Sequence, residues 1–164
     1  MKIQKLTTAA LMTAIGVTSA HIIYIPMGVA KTFPMQHAIN LLCATLLGPG
    51  YAVAVAFSIS VLRNLLGVGS LLAFPGSMIG ALLAGLLYQK TKKVSLAVMG
   101  ELFGTGIIGG LVSYPVATYL MGREAALFFY VGPFLLSSLT GVIIGTILFS
   151  ALRKLSIFNN QGVR

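Results

Sequence analysis

Gln36, His37 and Asn40 stand at three- and four-residue spacing, which puts an amide, an imidazole and a second amide on one face of a helix. Such a face cannot look at lipid. It either caps its helix and bonds to neighbouring helices or lines a ligand pocket. Arg63 and Asn64 follow further along the chain. Arg63 either snorkels to an interface or faces inward, and Asn64 is expected to face inward. Glu101 is the one acid inside an apolar run, and it reads as a functional group or as an interhelical carboxylate held by hydrogen bonds. His21, Tyr24, Ser113, Tyr114 and Tyr130 can each add a hydrogen bond. The chemistry within reach is recognition of a small molecule. There is no phosphate-cradling Gly-x-x-x-x-Gly-Lys loop, no His-Glu-x-x-His and no Gly-x-Ser-x-Gly elbow, so the chain is not read as an enzyme. Cys43 is the single cysteine, which leaves neither a disulfide framework nor a thiolate pair for a metal, and no metal or cofactor is expected.

The elements that must position these groups are apolar. Of 164 residues, 57% are hydrophobic and 8% charged. Residues 6–30, 32–62, 64–89, 94–122 (interrupted by Glu101) and 125–152 form five long apolar runs, each of bilayer-crossing length, for which about 20 residues suffice. The net charge of +9 does not describe a nucleic-acid surface. The basic residues are not gathered on one polar face but sit at segment ends, as the positive-inside rule distributes them. Gly48, Pro49 and Gly50 divide the second run into a short helix over 34–47 and a longer one over 51–66. The remaining helices are expected over 5–25, 75–90, 95–121 and 127–153. With six crossings, the basic clusters at Lys2 and Lys5, at Lys90 to Lys93 and at Arg153, Lys154 and Arg164 all fall on one side. The expectation is an all-α integral membrane protein: a single domain over 1–164, a six-transmembrane-helix bundle with a short second helix and both termini cytoplasmic. Thr18, Ser19 and Ala20 resemble a signal-peptide cleavage site, but the apolar run resumes at Ile22 and favours a retained first helix.

Small residues at four-residue spacing let helices approach closely in lipid. Gly76, Gly80 and Ala84 form one such row, and Gly100 with Gly104, Gly106 with Gly110, and Ser137 with Gly141 and Gly145 form others. Ala10 and Ala14, joined by Ala9, Thr13 and Gly16, make the first helix smoother than its own packing requires, which points to a docking face for another membrane protein. The loops over 24–34 and 67–76 bring Met27, Phe33, Met35 and Phe74 towards the polar group, as an apolar pocket for a small neutral or aromatic ligand requires.

The segments PMQHAIN at 34–40, LLGPGYA at 46–52, RNLLGVGSLLAFPGSM at 63–78 and GALLAGLLY at 80–88 resemble the ThiW family of substrate-binding S components of energy-coupling factor (ECF) transporters. The resemblance runs the full length and is most specific over 34–88. It implies a six-helix bundle that captures a vitamin precursor from outside, with 4-methyl-5-(2-hydroxyethyl)thiazole as the ligand. It also implies delivery to a T component and two ATPase subunits, with docking through Ala10 and Ala14. The implied pocket faces outward, and Gln36, His37, Asn40, Asn64 and Ser77, with Arg63 and Tyr114 behind them, are its expected residues. Thiamine itself, another precursor, or a stand-alone proton-coupled carrier using Glu101 are the rival readings.

Overall fold

The computed structural model describes residues 2–27, 30–124 and 126–154. Among them are six helices: α1 (Lys2–Ile22), α2 (Pro34–Leu46), α3 (Pro49–Leu65), α4 (Ala73–Thr91), α5 (Val94–Leu120) and α6 (Val131–Lys154). A short antiparallel hairpin, β1 (Ile25–Met27) and β2 (Ala30–Thr32), joins α1 to α2 with Ile25 opposite Thr32. The sequence reading treats that stretch as loop. Each helix lies within a few residues of its expected bounds. Residues 155–164, including the basic Arg164, fall outside the described residues.

The breaks have local causes. Gly48 takes a φ of 96°, which a side chain would resist, and Pro49 then opens α3 with its φ already set for a helix. At the same end of the bundle, Lys92 ends α4 in the left-handed region at φ 57° and Lys93 extends into α5. The α5 helix is irregular. Over Leu102–Gly109 and Val116–Leu120 its turns widen to the π type, a deviation that collects at functional positions.

Two helices among the described residues, α5 with mean hydropathy 1.6 and α6 with 2.0, are by themselves long and apolar enough to cross a bilayer. The α2 helix has 13 residues, about 20 Å at 1.5 Å per residue, and 11 of them are buried. It sits in the middle of the bundle, packed against α6, α4, α3 and α1. Burial is inverted relative to a water-soluble protein. Arg63, Glu101, Asn40, Thr105, Ser60 and Ser77 are at most 2% exposed, whereas Leu65, Tyr119, Leu120, Phe128 and Ile147 are more than 60% exposed. A bilayer as solvent favours that arrangement, because it charges for polar groups and accepts apolar ones.

The small-residue rows act as backbone contacts. A Cβ at Gly104 would lie 2.8 Å from the Gly80 Cα, so α4 and α5 touch backbone to backbone. The Gly106 and Gly110 row faces α6 instead, against Leu135 and Val131, and Gly141 and Gly145 seat α6 against Pro34, His37 and Ala38 of α2. Replacing Gly104 by Val should force α4 from α5 at a cost on the order of 1–3 kcal/mol. Thermal unfolding in detergent should show a clear drop for Gly104→Val and none for Gly132→Ala, where the added methyl meets open space.

Candidate functional site

Four helices aim polar side chains at one point. On α2, Gln36, His37 and Asn40 share the inner face, as their spacing requires. The α3 helix supplies Ser60 and Arg63 one turn apart, α4 supplies Ser77, and α5 supplies Glu101 and Thr105 one turn apart. The close approach of α4 and α5 at Gly80 and Gly104 brings Glu101 inward. A Cβ on Gly80 would fall 2.1 Å from Thr105 Oγ1 and 2.9 Å from Glu101 Oε2, so glycine there makes room for both polar groups.

Two hydrogen-bonded chains result. In the first, the Arg63 guanidinium donates to Gln36 Oε1, Gln36 Nε2 donates to Ser60 Oγ at 3.0 Å, and the Ser60 hydroxyl lies 3.2 Å from Ser77 Oγ. The Ser77 hydroxyl donates to the Ala73 carbonyl at 2.7 Å, which fixes the direction of the chain away from the cation. Arg63 also donates to the Val68 carbonyl at 3.3 Å, and its guanidinium lies over the Phe33 ring, 3.6 Å from the centroid. In the second chain Glu101 Oε1 is the hub. It lies 2.9 Å from His37 Nδ1, accepts from Asn40 Nδ2 at 3.0 Å, and lies 3.2 Å from the Thr105 hydroxyl, which is shared with the Gly76 carbonyl at 3.1 Å. Asn40 Nδ2 also donates to the Ser77 carbonyl at 3.1 Å, joining the two chains. Glu101 Oε2, Asn40 Oδ1 and Arg63 Nε are enclosed without a protein partner among the described residues.

Above this floor opens a cavity of about 820 Å³. Gln36, His37, Arg63 and Ser77 reach it from below, and Phe33, Phe129, Tyr130 and Phe134 form its aromatic walls. Lys31, Arg123 and Glu124 stand at its exposed margin, with the Lys31 ammonium 4.6 Å from the Tyr24 ring centroid. Phe33 is held from both sides, by Arg63 below and by its own backbone N–H, which donates to Ser137 Oγ on α6 at 3.1 Å.

The structure brings four expected residues, Gln36, His37, Arg63 and Ser77, to the cavity itself. Asn40 lies one layer deeper, fully enclosed. Asn64 and Tyr114 do not line the cavity. Asn64 is half-buried and pins the loop before α4, with its amide donating to the Ser60 carbonyl at 2.7 Å and the Ser70 carbonyl at 3.1 Å. The alternatives left open for Arg63 and Asn64 therefore resolve with the arginine, not the asparagine, as the fully buried member. Phe74 packs edge-on against Phe57 at 5.8 Å and, like Met35, stays out of the cavity, while the side chain of Met27 lies outside the described residues. Sequence reasoning missed Ser60, Thr105, Phe129 and Phe134. The aromatic run at 128–130 just before α6 was the available signal for the wall. Ala10 and Ala14 are exposed on α1, opposite the face on which Ala9, Gly16 and Ala20 pack into the bundle.

A family model described as thiamine-precursor transporter protein (ThiW) matches residues 6–155. The chain belongs to the ThiW family. Membership makes this ThiW protein a thiamine-precursor transport protein of the cell membrane. Its fold is that of a solved S component of a bacterial ECF transporter, with a TM-score of 0.71 at 20% identity over 96% of this chain and 98% of that chain. Among curated proteins, none matches the chain.

Because His37 and Asn40 both rely on Glu101 Oε1, removing the carboxyl group strands buried donors. Glu101→Leu should destabilise the protein by about 3–5 kcal/mol, as loss of one partner of a buried pair does. Glu101→Gln, which keeps an acceptor oxygen, should lose distinctly less. Melting temperatures of the purified variants in detergent check both.

Proposed function

We propose that this ThiW protein is an S component that captures 4-methyl-5-(2-hydroxyethyl)thiazole from outside the cell without ATP and delivers it to a T component carrying two ATPase subunits. The observation that carries the reading is the cavity itself: aromatic walls above a small set of convergent polar groups. That combination suits a small uncharged heteroaromatic, whose ring stacks while its nitrogen and hydroxyl take hydrogen bonds. Gln36, His37, Arg63 and Ser77 are assigned to direct contact. Asn40 and Asn64 are assigned to support, the first beneath the floor and the second in the loop beside it. Tyr114 is assigned no contact.

In this reading all six helices cross the bilayer, with the short α2 sheltered by its neighbours and both termini cytoplasmic. The basic residues at Lys2 and Lys5, Lys90 to Lys93, and Arg153 and Lys154 then share the cytoplasmic side, and the cavity opens on the other. Docking onto the T component uses the exposed Ala10 and Ala14 face, where two backbones can meet closely. The bundle then turns as a body to present its cavity inward.

The volume leaves room for thiamine itself, which is a second reading. Charge argues against it. Lys31, Arg63 and Arg123 line the cavity against the acid Glu124, and with Glu101 one layer below the floor three cations still outnumber two acids, so a cationic ligand enters an unfavourable field. A stand-alone carrier working through Glu101 is disfavoured too, because that carboxyl group has no exposed surface from which to exchange protons directly.

The combined variant Ala10→Leu, Ala14→Leu tests the delivery step. It should still bind the thiazole when isolated, yet fail to co-purify with the T component and ATPase subunits. Intact co-purification would exclude this face as the docking surface.

A further inference from the structure

The His37 ring is held asymmetrically. Its Nδ1 lies 2.9 Å from Glu101 Oε1, whereas its Nε2 has no protein hydrogen bond among the described residues. That second nitrogen is not one of the fully enclosed, partnerless polar atoms, and His37 lines the cavity with 10% of its side chain exposed. One nitrogen is therefore committed to the protein and the other is left to whatever occupies the cavity.

Charge decides which nitrogen carries the proton. The fully buried charged side chains among the described residues are Arg63 and Glu101, one of each sign. They do not touch. Arg63 donates to Gln36, and the polar chain through Ser60 and Ser77 lies between them. An arginine stays cationic, and beside a cationic Arg63 the enclosed cluster sums to zero only with Glu101 ionised and His37 neutral; a protonated Glu101 or a protonated His37 leaves net charge in a low-dielectric interior. Asn40 Nδ2 donates to the same oxygen, and the Thr105 hydroxyl, shared with the Gly76 carbonyl, lies 3.2 Å from it. Among the described residues, no other titratable side chain from α3, α4 or α6 hydrogen-bonds to the pair. A carboxylate accepts only, so the hydrogen between the two must sit on Nδ1, which fixes the tautomer.

We propose that Glu101 is a positioning residue for ligand selection: by taking the Nδ1 hydrogen of His37 it presents Nε2 to the cavity as a bare acceptor, and so selects ligands that carry a hydroxyl donor. This rests on the capture reading above and adds to it the atom that distinguishes a hydroxylated precursor from an alkyl analogue of the same shape. A site with a buried acceptor rejects the analogue because the acceptor is left unpaired.

The test compares 4-methyl-5-(2-hydroxyethyl)thiazole with its 5-ethyl analogue by equilibrium binding to the purified full chain, alongside the ¹⁵N spectrum of histidine-labelled protein assigned with His37→Phe. The wild type should bind the hydroxylated compound at least about tenfold more tightly, a difference of one hydrogen bond. The spectrum should show His37 protonated at Nδ1 with an unprotonated Nε2. Glu101→Gln keeps an acceptor oxygen and should retain both properties. Glu101→Met should lose the discrimination and shift the proton to Nε2, which a purely structural role would not do. Equal binding of the two compounds by the wild type would overturn the proposal, as would a proton on Nε2 of neutral His37. The spectrum needs no ligand and no destabilised variant. If neither thiazole binds, the capture reading fails while the tautomer still decides whether Glu101 positions His37.

Discussion

A carboxyl group with no exposed surface depends on the helices around it, and most of this structure can be understood from how Glu101 is held, with its Oε1 taking the hydrogen bonds and its Oε2 enclosed without a partner among the described residues. Its donors come from His37 and Asn40 on α2 and from Thr105 one turn along its own helix. Asn40 carries the connection on to α4 through the Ser77 carbonyl. The arrangement sets helix separations as well as hydrogen bonds. Gly80 must lack a side chain for Glu101 and Thr105 to fit, and Gly104 must lack one for α5 to come near enough. The glycine rows and the polar cluster are thus two parts of one constraint.

That constraint also explains the position of the cavity. The α2 helix is only about 20 Å long, so its outer end lies well inside the bundle and leaves a recess above it. The recess is floored by side chains already engaged with one another, which lowers the cost of ordering them when a ligand arrives. Phe33 extends this order into the wall. It rests on the Arg63 guanidinium and is tied by its backbone to Ser137, so three elements fix one aromatic surface. The stacked guanidinium also donates to Gln36 and to the Val68 carbonyl, and among the described residues no acidic side chain lies within ion-pair distance of it.

Much of the architecture was legible in the sequence because it rests on local rules. Gly48, Pro49 and Gly50 announce the α2 to α3 break, the lysines announce the α4 to α5 turn, and the spacing of Gln36, His37 and Asn40 announces one polar face. The pairing across helices was not legible. His37 as the partner of Glu101 depends on how deep α2 sits and on which glycine row faces which neighbour. Gly100 and Gly104 turn to α4 while Gly106 and Gly110 turn to α6, and spacing alone does not separate those faces. Arg63 was equally placed to snorkel. The Phe33 ring and the Gln36 amide, brought in from another segment, hold it inside together with the Val68 carbonyl. The aromatic wall from Phe129 to Phe134 was missed for a similar reason, since a run of aromatics before a membrane helix also suits an interface.

The central claim is that the isolated chain captures a neutral thiazole in this cavity. Calorimetric titration of the detergent-purified protein with 4-methyl-5-(2-hydroxyethyl)thiazole, thiamine and the pyrimidine precursor, without ATP or partner subunits, tests it most directly. The account predicts saturable, one-to-one binding of the thiazole and far weaker binding of the other two. Preferential binding of thiamine would contradict the charge argument, and no binding of any of the three would contradict the assignment of the cavity as a thiamine-precursor site.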